Sequence, residues 1–489
     1  MKIKQQLFVI FIFVGLSQVI GQTGIHWEEE ITVADGSLFG NVRPRIALTS
    51  GDTPIVLFGK GPSGLLFTSR FNGTSFEQPV ALLPPTMQTY LASWTGPDIA
   101  AEDSVVVAVF KSLPLETGRI YTVRSTDGGQ TWSDTIRADS HNNGGVAWLP
   151  SMDIDENGNP SVIYMAHDAT WLNPRYFVSH SIDQGLSYEQ EMDIALSIPD
   201  EACDCCPAEY VIDGNKHALL YRNNASNIRD IYALYSEDDG LNYNQSANVD
   251  QLNWNVSSCP STGPHGTFNS DQLITVYASR ASGGYRVYIS ETATSPFFVY
   301  ENRTMMTPPL NTNGIQNYPR ISGQNDTLVM VWQESETSNS EIFAAITSSG
   351  NMNDLLASKA IVNSNTSGSQ TNPDVIYANG KVHVVFQDAS SGDVMYKKGT
   401  IGTLALEENS ALNLSVFPNP STSGLFILRG IDYKNLSFHL TDAIGQKCAF
   451  EMIEVGNEIQ LRIIDNPSGI FFLKIELDGS EKTYILVNN

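Results

Sequence analysis

Positive charge is scarce in this chain. Its 489 residues carry 28 Lys and Arg against 53 Asp and Glu, a formal charge of -25, and only 17% of residues are charged. Nucleic-acid binding rests on clustered Lys and Arg that neutralise phosphates, so a field this negative argues against it. Long apolar runs are equally scarce: nothing after the N-terminus approaches the ~20 residues needed to span a bilayer. Cysteine is limited to five residues. Disorder is excluded from the other side, because 41% hydrophobic residues suffice for a large core.

The N-terminus reads as an export signal. Lys2 and Lys4 precede an apolar run from Leu7 to Leu16, and Val19-Ile20-Gly21 closes on a small residue, which sets residues 1–21 as a cleaved signal peptide.

What is abundant is punctuation, with 38 Gly and 23 Pro. Seven prolines, Pro44, Pro97, Pro150, Pro207, Pro264, Pro319 and Pro373, each open a short apolar strand, at intervals of 53 to 57 residues. A turn and a second apolar strand follow each one (VVVAVFK, SVIYMAH and HALLYRN are examples), and then a third. Short strands at this period predict an all-β fold, a seven-bladed β-propeller over residues 22–402. Proline at the start of a strand loses no ladder bond. His26–Val33 is left as an extra strand whose pairing with the last repeat closes the ring and removes its open edges.

Three repeats carry STDGGQTW (Ser125–Trp132), SIDQGLSY (Ser181–Tyr188) and SEDDGLNY (Ser236–Tyr243). These resemble the Asp-box of the sialidase superfamily. Asp127, Asp183 and Asp238 are therefore expected to fasten hairpin turns and to take no part in chemistry. DIDENG (Asp153–Gly158) imitates the start of a calcium loop, but Tyr164 stands where the loop needs Glu, so a hairpin turn is expected.

Residues 403–411 read as a linker. From Leu412 to the end, alternating apolar strands separated by Pro, Asn, Gly and Asp turns predict a small C-terminal β-sandwich. The Phe417-Pro418-Asn419-Pro420 opening and the final strand resemble the type A sorting domain of the type IX secretion system of Bacteroidetes. The resemblance implies a protein released outside the cell or attached to its surface, with the secretion machinery as a partner.

A propeller binds ligands where the innermost strands begin and where the second strands end. Arg43, Trp94, Trp148, Cys206, His265, Tyr318 and Asn372 stand at the first set of positions. Lys111, His167, Asp168, Arg222, Arg280, Glu334 and Asp388 stand at the second. Rings mixed with Arg, His and carboxylates suit an extracellular glycan or polysaccharide. The sialidase resemblance implies an exo-sialidase-type glycoside hydrolase. In it Arg43, Arg222 and either Arg280 or Arg320 clamp a carboxylate, and Tyr318 is the nucleophile. The chain departs from that pattern at the fourth-blade Glu, replaced by the CDCC run, and in the first-blade loop FGKGPSGLL, which holds no Asp. YMAHDATWLNPRYF resembles seven-bladed polysaccharide lyases acting on ulvan-like uronate polymers. That resemblance implies His167 as base and Arg222 as neutraliser. A non-catalytic surface module that binds glycan or protein is the third reading. The substrate-binding candidates are Arg43, Trp148, Arg280 and Arg320.

Cys203, Cys205, Cys206 and Cys259 fall in equivalent loops entering neighbouring blades, and Cys448 lies apart. The pattern CDCCP, NIRDIY, SSCPSTGPH looks like a subgroup of exported sialidase-like bacterial proteins. In an oxidising compartment four thiols form two disulfides. The alternatives are a Cu or Zn site built from the four thiolates with His265 or His167, and a redox role. C-x-C-C is not a usual zinc spacing, which favours disulfides, and the glycan readings require no cofactor.

Overall fold

The computed structural model describes residues 22–36, 40–61, 63–139, 145–199, 201–295, 298–306, 314–335, 339–404, 415–429, 437–455, 458–465, 468–477 and 480–489. The signal-peptide expectation falls outside these residues, as does most of the expected linker. The chain divides into two compact units, split between Thr403 and Leu404.

The larger unit is a seven-bladed β-propeller. Six four-stranded antiparallel sheets follow one another in sequence, and blade 1 (Asn41–Thr49, Thr53–Lys60, Leu65–Arg70, Val80–Ala81) sets the pattern. The innermost strands touch in cyclic order, from blade 1 to blade 7 and back to blade 1, around a central channel. Blade 7 combines Gln370–Ala378, Lys381–Asp388 and Asp393–Leu404 with two N-terminal strands, Gln22–Trp27 and Ile31–Ala34, both on Asp393–Leu404. The expected closing strand is thus two strands, and the ring is sealed by the start of the chain pairing with its last repeat.

Second strands form the greasy middle of each blade. Val105–Lys111 is buried at every position, and each fully buried Val contributes about 1.5–3 kcal/mol. The outer strands of blades 1, 2, 3 and 6 are only two residues long, as in Ile136–Arg137, so these blades present little open edge.

The prolines do not simply start their strands. In blades 1, 3, 6 and 7 the innermost strand begins before the proline, and its register slips there: Val42/Arg45, Trp148/Ser151, Asn317/Arg320 and Thr371/Asp374. The residue ahead of the proline is left-handed in each case, with φ of 56° at Arg43, 52° at Leu149, 50° at Tyr318 and 52° at Asn372. A bulge tolerates the missing N–H and re-aims the side chains on either side of it.

The Asp-boxes are turn fasteners, as expected. Ser125 Oγ donates to Asp127 Oδ1 at 2.7 Å, Asp127 Oδ1 accepts from the Gln130 and Thr131 N–H groups at 2.9 Å, and Gly129 supplies φ of 84°. The same network recurs at Ser181–Asp183 and Ser236–Asp238. Asp155, inside the false calcium loop, likewise accepts from Asn157 N and Asn159 N within its own turn.

The smaller unit is a β-sandwich. One sheet is Ser415–Phe417, Leu425–Arg429, Glu458–Ile463 and Phe450–Val455; the other is Ser437–Asp442, Gly469–Leu477 and Ser480–Asn488. Phe426, Leu428, Leu461, Leu473 and Leu486 fill the space between them.

Candidate active site at the channel mouth

In six of the seven blades the position after the proline lines the channel. It is Arg45 in blade 1, Asp98 in blade 2, Ser151 in blade 3, His265 in blade 5, Arg320 in blade 6 and Asp374 in blade 7, and Glu209 joins from blade 4. These groups also fasten neighbouring blades. Ile46 N donates to Asp374 Oδ2 at 3.0 Å, Ser151 Oγ to Asp98 Oδ2 at 3.2 Å, and Ile321 N to His265 Nδ1 at 3.2 Å. Asp153, one layer deeper, accepts from Ile212 N at 2.7 Å, and burial pushes its carboxyl up to about 7.

At the mouth a cavity is lined by Arg43, Arg45, Arg320, Trp94, Tyr318, Asp98 and Glu209, with Pro97, Pro150, Pro207 and Pro264 around it. Arg320 Nη1 donates to Glu209 Oε2 at 3.1 Å, and Arg320 Nε lies 3.8 Å from Asp374 Oδ1. His265 Nδ1 accepts a backbone N–H, so the neutral ring keeps its proton on Nε2, which faces Glu209 Oε1 at 3.3 Å. Burial, then the charges of Arg320 and Arg45, hold His265 well below its usual range and keep it neutral.

Burial raises Glu209 to about 8, against the pull of Arg320. Arg43 is lowered well below the usual guanidinium range, by burial first and then by Arg45 and Arg320. Its Nη1 donates to Asn372 Oδ1 at 3.3 Å, while its buried Nε has no partner among the described residues. Tyr318 is raised by burial, with Arg43 pulling the other way. The pocket is thus a dense positive cluster with an unspent donor, beside a carboxyl that retains its proton at neutral pH.

Several expected residues are elsewhere. Arg222 is fully buried, and its three guanidinium nitrogens donate to the carbonyls of Thr262, Arg229 and Ala278 at 3.1, 2.6 and 2.9 Å. It is spent on backbone and is neither clamp nor neutraliser. Arg280 is exposed over the Tyr285 ring, away from the arginine pocket. The third arginine of the cluster is Arg45, which the sequence reading missed although it directly follows Pro44.

Trp148 is 8% exposed, packed edge-on against Trp94 and Trp171, and so is no stacking surface. Its indole donates to His167 Nε2 at 3.0 Å, which occupies the lone pair a base would use, and burial lowers His167 as well. Asp168 and Asp388 accept from their own loops, and Glu334 is paired with Lys359. Lys111 is buried and drawn down to about 8. Two carboxyl groups that the sequence did not single out also line the cavity: Glu209, two residues after Pro207, and Asp98.

The cysteines meet, as expected, but only one disulfide joins them: Cys205–Cys259, linking the loops that enter blades 4 and 5. Cys203 and Cys206 are buried thiols with sulfurs 2.6 Å apart. The hydrogen bond from Cys206 lowers Cys203 to about 7. A four-thiolate metal site is therefore overturned, since two of its sulfurs are bonded to each other. His265 is committed to the channel and His167 to Trp148, which leaves two sulfurs where zinc needs four ligands.

Residues 415–488 match the family model of the secretion system C-terminal sorting domain. The chain ends in a sorting domain. The protein is therefore exported by type IX secretion, to the cell surface or beyond it, and no helix among its described residues is long and apolar enough to cross a membrane. No curated protein matches the chain. Among solved structures it is similar to a protein of unknown function from Dyadobacter fermentans (12% identity, 78% of this chain and 100% of that one, TM-score 0.46). It is also similar to the Penicillium chrysogenum alpha-L-arabinanase complexed with arabinobiose (10%, 78% and 99%, 0.42) and to a mutant Trypanosoma rangeli sialidase displaying trans-sialidase activity (12%, 85% and 85%, 0.39).

Proposed function

We propose that this exported propeller engages extracellular glycans at the mouth of its channel, taking an acidic sugar whose carboxylate rests on Arg43, Arg45 and Arg320. The observation that carries the reading is the convergence of these three arginines in a chain of formal charge -25, one of them with an unpartnered buried donor. Buried cations that crowd one another are stabilised by a bound anion, and planar guanidinium groups suit a carboxylate.

The same cavity carries the groups for glycoside hydrolysis. Glu209, protonated up to about pH 8, donates to the leaving glycosidic oxygen. Tyr318 attacks the anomeric carbon as its phenolic proton passes to Asp98; water, giving its proton to the Glu209 carboxylate, then displaces the tyrosine, which takes its proton back from Asp98. Aromatic Trp94 offers the ring a face.

The test is to incubate the full mature protein with sialosides and with uronate-containing algal polysaccharides. New reducing ends that disappear in Tyr318→Phe, with binding kept, support hydrolysis. Binding without product reduces the protein to a surface binding module. Absorbance from unsaturated uronate assigns it to the lyases.

A further inference from the structure

A second cavity, of about 430 Å³, opens on the same face between blades 1, 6 and 7, and Tyr318 belongs to both. Its polar lining is neutral: Gln333, Thr371, Asn372, Gln387 and Ser93, with Leu91 among its apolar walls. None of its described lining residues is charged. The contrast with the neighbouring pocket, lined by three arginines and two carboxyl groups, is sharp.

Two left-handed residues build this cavity. Tyr318 and Asn372 precede Pro319 and Pro373, where a helical-type backbone is disfavoured, yet both hold φ near 50°, at 50° and 52°. The same left-handed step recurs at Arg43 and Leu149, so it is the bulge of the innermost strands, and in blades 6 and 7 that bulge brings Tyr318 and Asn372 to the cavity wall. Asn372 also joins the cavities: its Oδ1 accepts from Arg43 Nη1, and its N–H donates to Gln333 Oε1 at 3.3 Å.

Side-chain amides and hydroxyls both donate and accept, as sugar hydroxyls do, and an apolar wall receives the C–H face of a sugar ring. An ionic ligand would lose its hydration here and gain no counter-charge. We infer that this cavity is a second sugar subsite, which takes an uncharged sugar ring linked to the acidic residue held by the arginines. The ligand is then an acidic sugar joined to a neutral one, and runs of adjacent acidic sugars are disfavoured. The inference rests on the acidic-sugar reading of the arginine pocket.

Calorimetric titration of the full mature protein separates the two ideas. The probes are N-acetylneuraminate against 3′-sialyllactose, and glucuronate against a disaccharide of glucuronate and xylose. At least one disaccharide is expected to bind about tenfold tighter than its acidic monosaccharide. Gln387→Ala should shrink that gain and Ala389→Trp, which fills the cavity, should remove it. The monosaccharide's retained affinity reports that the fold survives. Equal affinities in the wild type, or a gain that outlasts both substitutions, overturn the subsite. If neither acidic monosaccharide binds, the arginine-pocket reading fails, and lactose and xylose then judge the cavity alone. Binding of either that Ala389→Trp abolishes supports the subsite, and no binding overturns it.

Discussion

Arg320 donates to Glu209 at 3.1 Å and reaches Asp374 at 3.8 Å, so one guanidinium from blade 6 ties blades 4 and 7 at the channel floor. Burial still dominates the carboxyl: Glu209 is raised to about 8 despite its cationic neighbour. Below that value Glu209 adds no negative charge to the pocket, so of its carboxyl groups this one does not oppose an anion held by the arginines.

That arrangement makes acidic-sugar binding depend on pH. Below about 8 Glu209 is neutral; above it a new carboxylate opposes the ligand, so affinity falls as pH rises through about 8. Stability follows the same direction. The folded carboxyl holds a proton that the unfolded one, near pKa ~4.3, releases, so stability declines as pH climbs from about 4 to about 8. Glu209→Gln should flatten both profiles in calorimetry and thermal melts, and unchanged slopes would refute the assignment.

Removing one arginine separates binding from folding. Arg43→Met should weaken an acidic sugar by roughly ten- to a hundredfold, the loss of one charged hydrogen bond. Melting should hold or improve slightly, because a buried, partly unsatisfied cation has gone. A lowered melting temperature with normal affinity contradicts this reading of the pocket.

His167→Ala distinguishes the hydrolase from the lyase. The imidazole accepts the Trp148 indole N–H, so its removal orphans a buried donor and costs about 1–3 kcal/mol of stability. Cleavage measured by reducing ends should persist at a temperature where the variant is folded. Loss of turnover in a folded variant would restore His167 as the base.

Thiol chemistry offers an independent check. Unfolding without reductant should expose three reactive thiols, Cys203, Cys206 and Cys448. Two fewer would mean that Cys203 and Cys206 are also bonded. Cys259→Ser should lower stability by about 2–4 kcal/mol by freeing the loops that enter blades 4 and 5.

The Asp-boxes should behave as fasteners only. Asp183→Ala removes acceptors for Ser181 Oγ, Ser187 N and Ser187 Oγ, and is expected to lower stability by about 1–3 kcal/mol without altering glycan affinity. The Ser187 and Ser181 hydrogen bonds outweigh burial and hold this carboxyl at about 2. Its contribution is complete above about pH 4 and is lost as pH falls through about 2. Melts between these limits check the sign.

Local signals made the architecture legible. Proline spacing, the Asp-boxes and the sorting-domain motif are written in contiguous residues, because turns and strand starts depend on immediate neighbours, and they determined the blade number and the export route. The site was only half legible. Arg43, Tyr318 and Arg320 were found because they flank prolines in a recognisable pattern. Arg45, Asp98 and Glu209 carry the same signal, one or two places after the proline, but their meaning appears only when seven repeats face one axis. Arg222 and Trp148 misled for the complementary reason: a strand-end arginine and a mouth tryptophan look alike whether they face solvent or core. Which charges meet, which are spent on backbone carbonyls, and which sulfurs bond were decided by packing between residues more than fifty positions apart. Sequence sets what each blade can do alone; only the closed ring brings the arginines together.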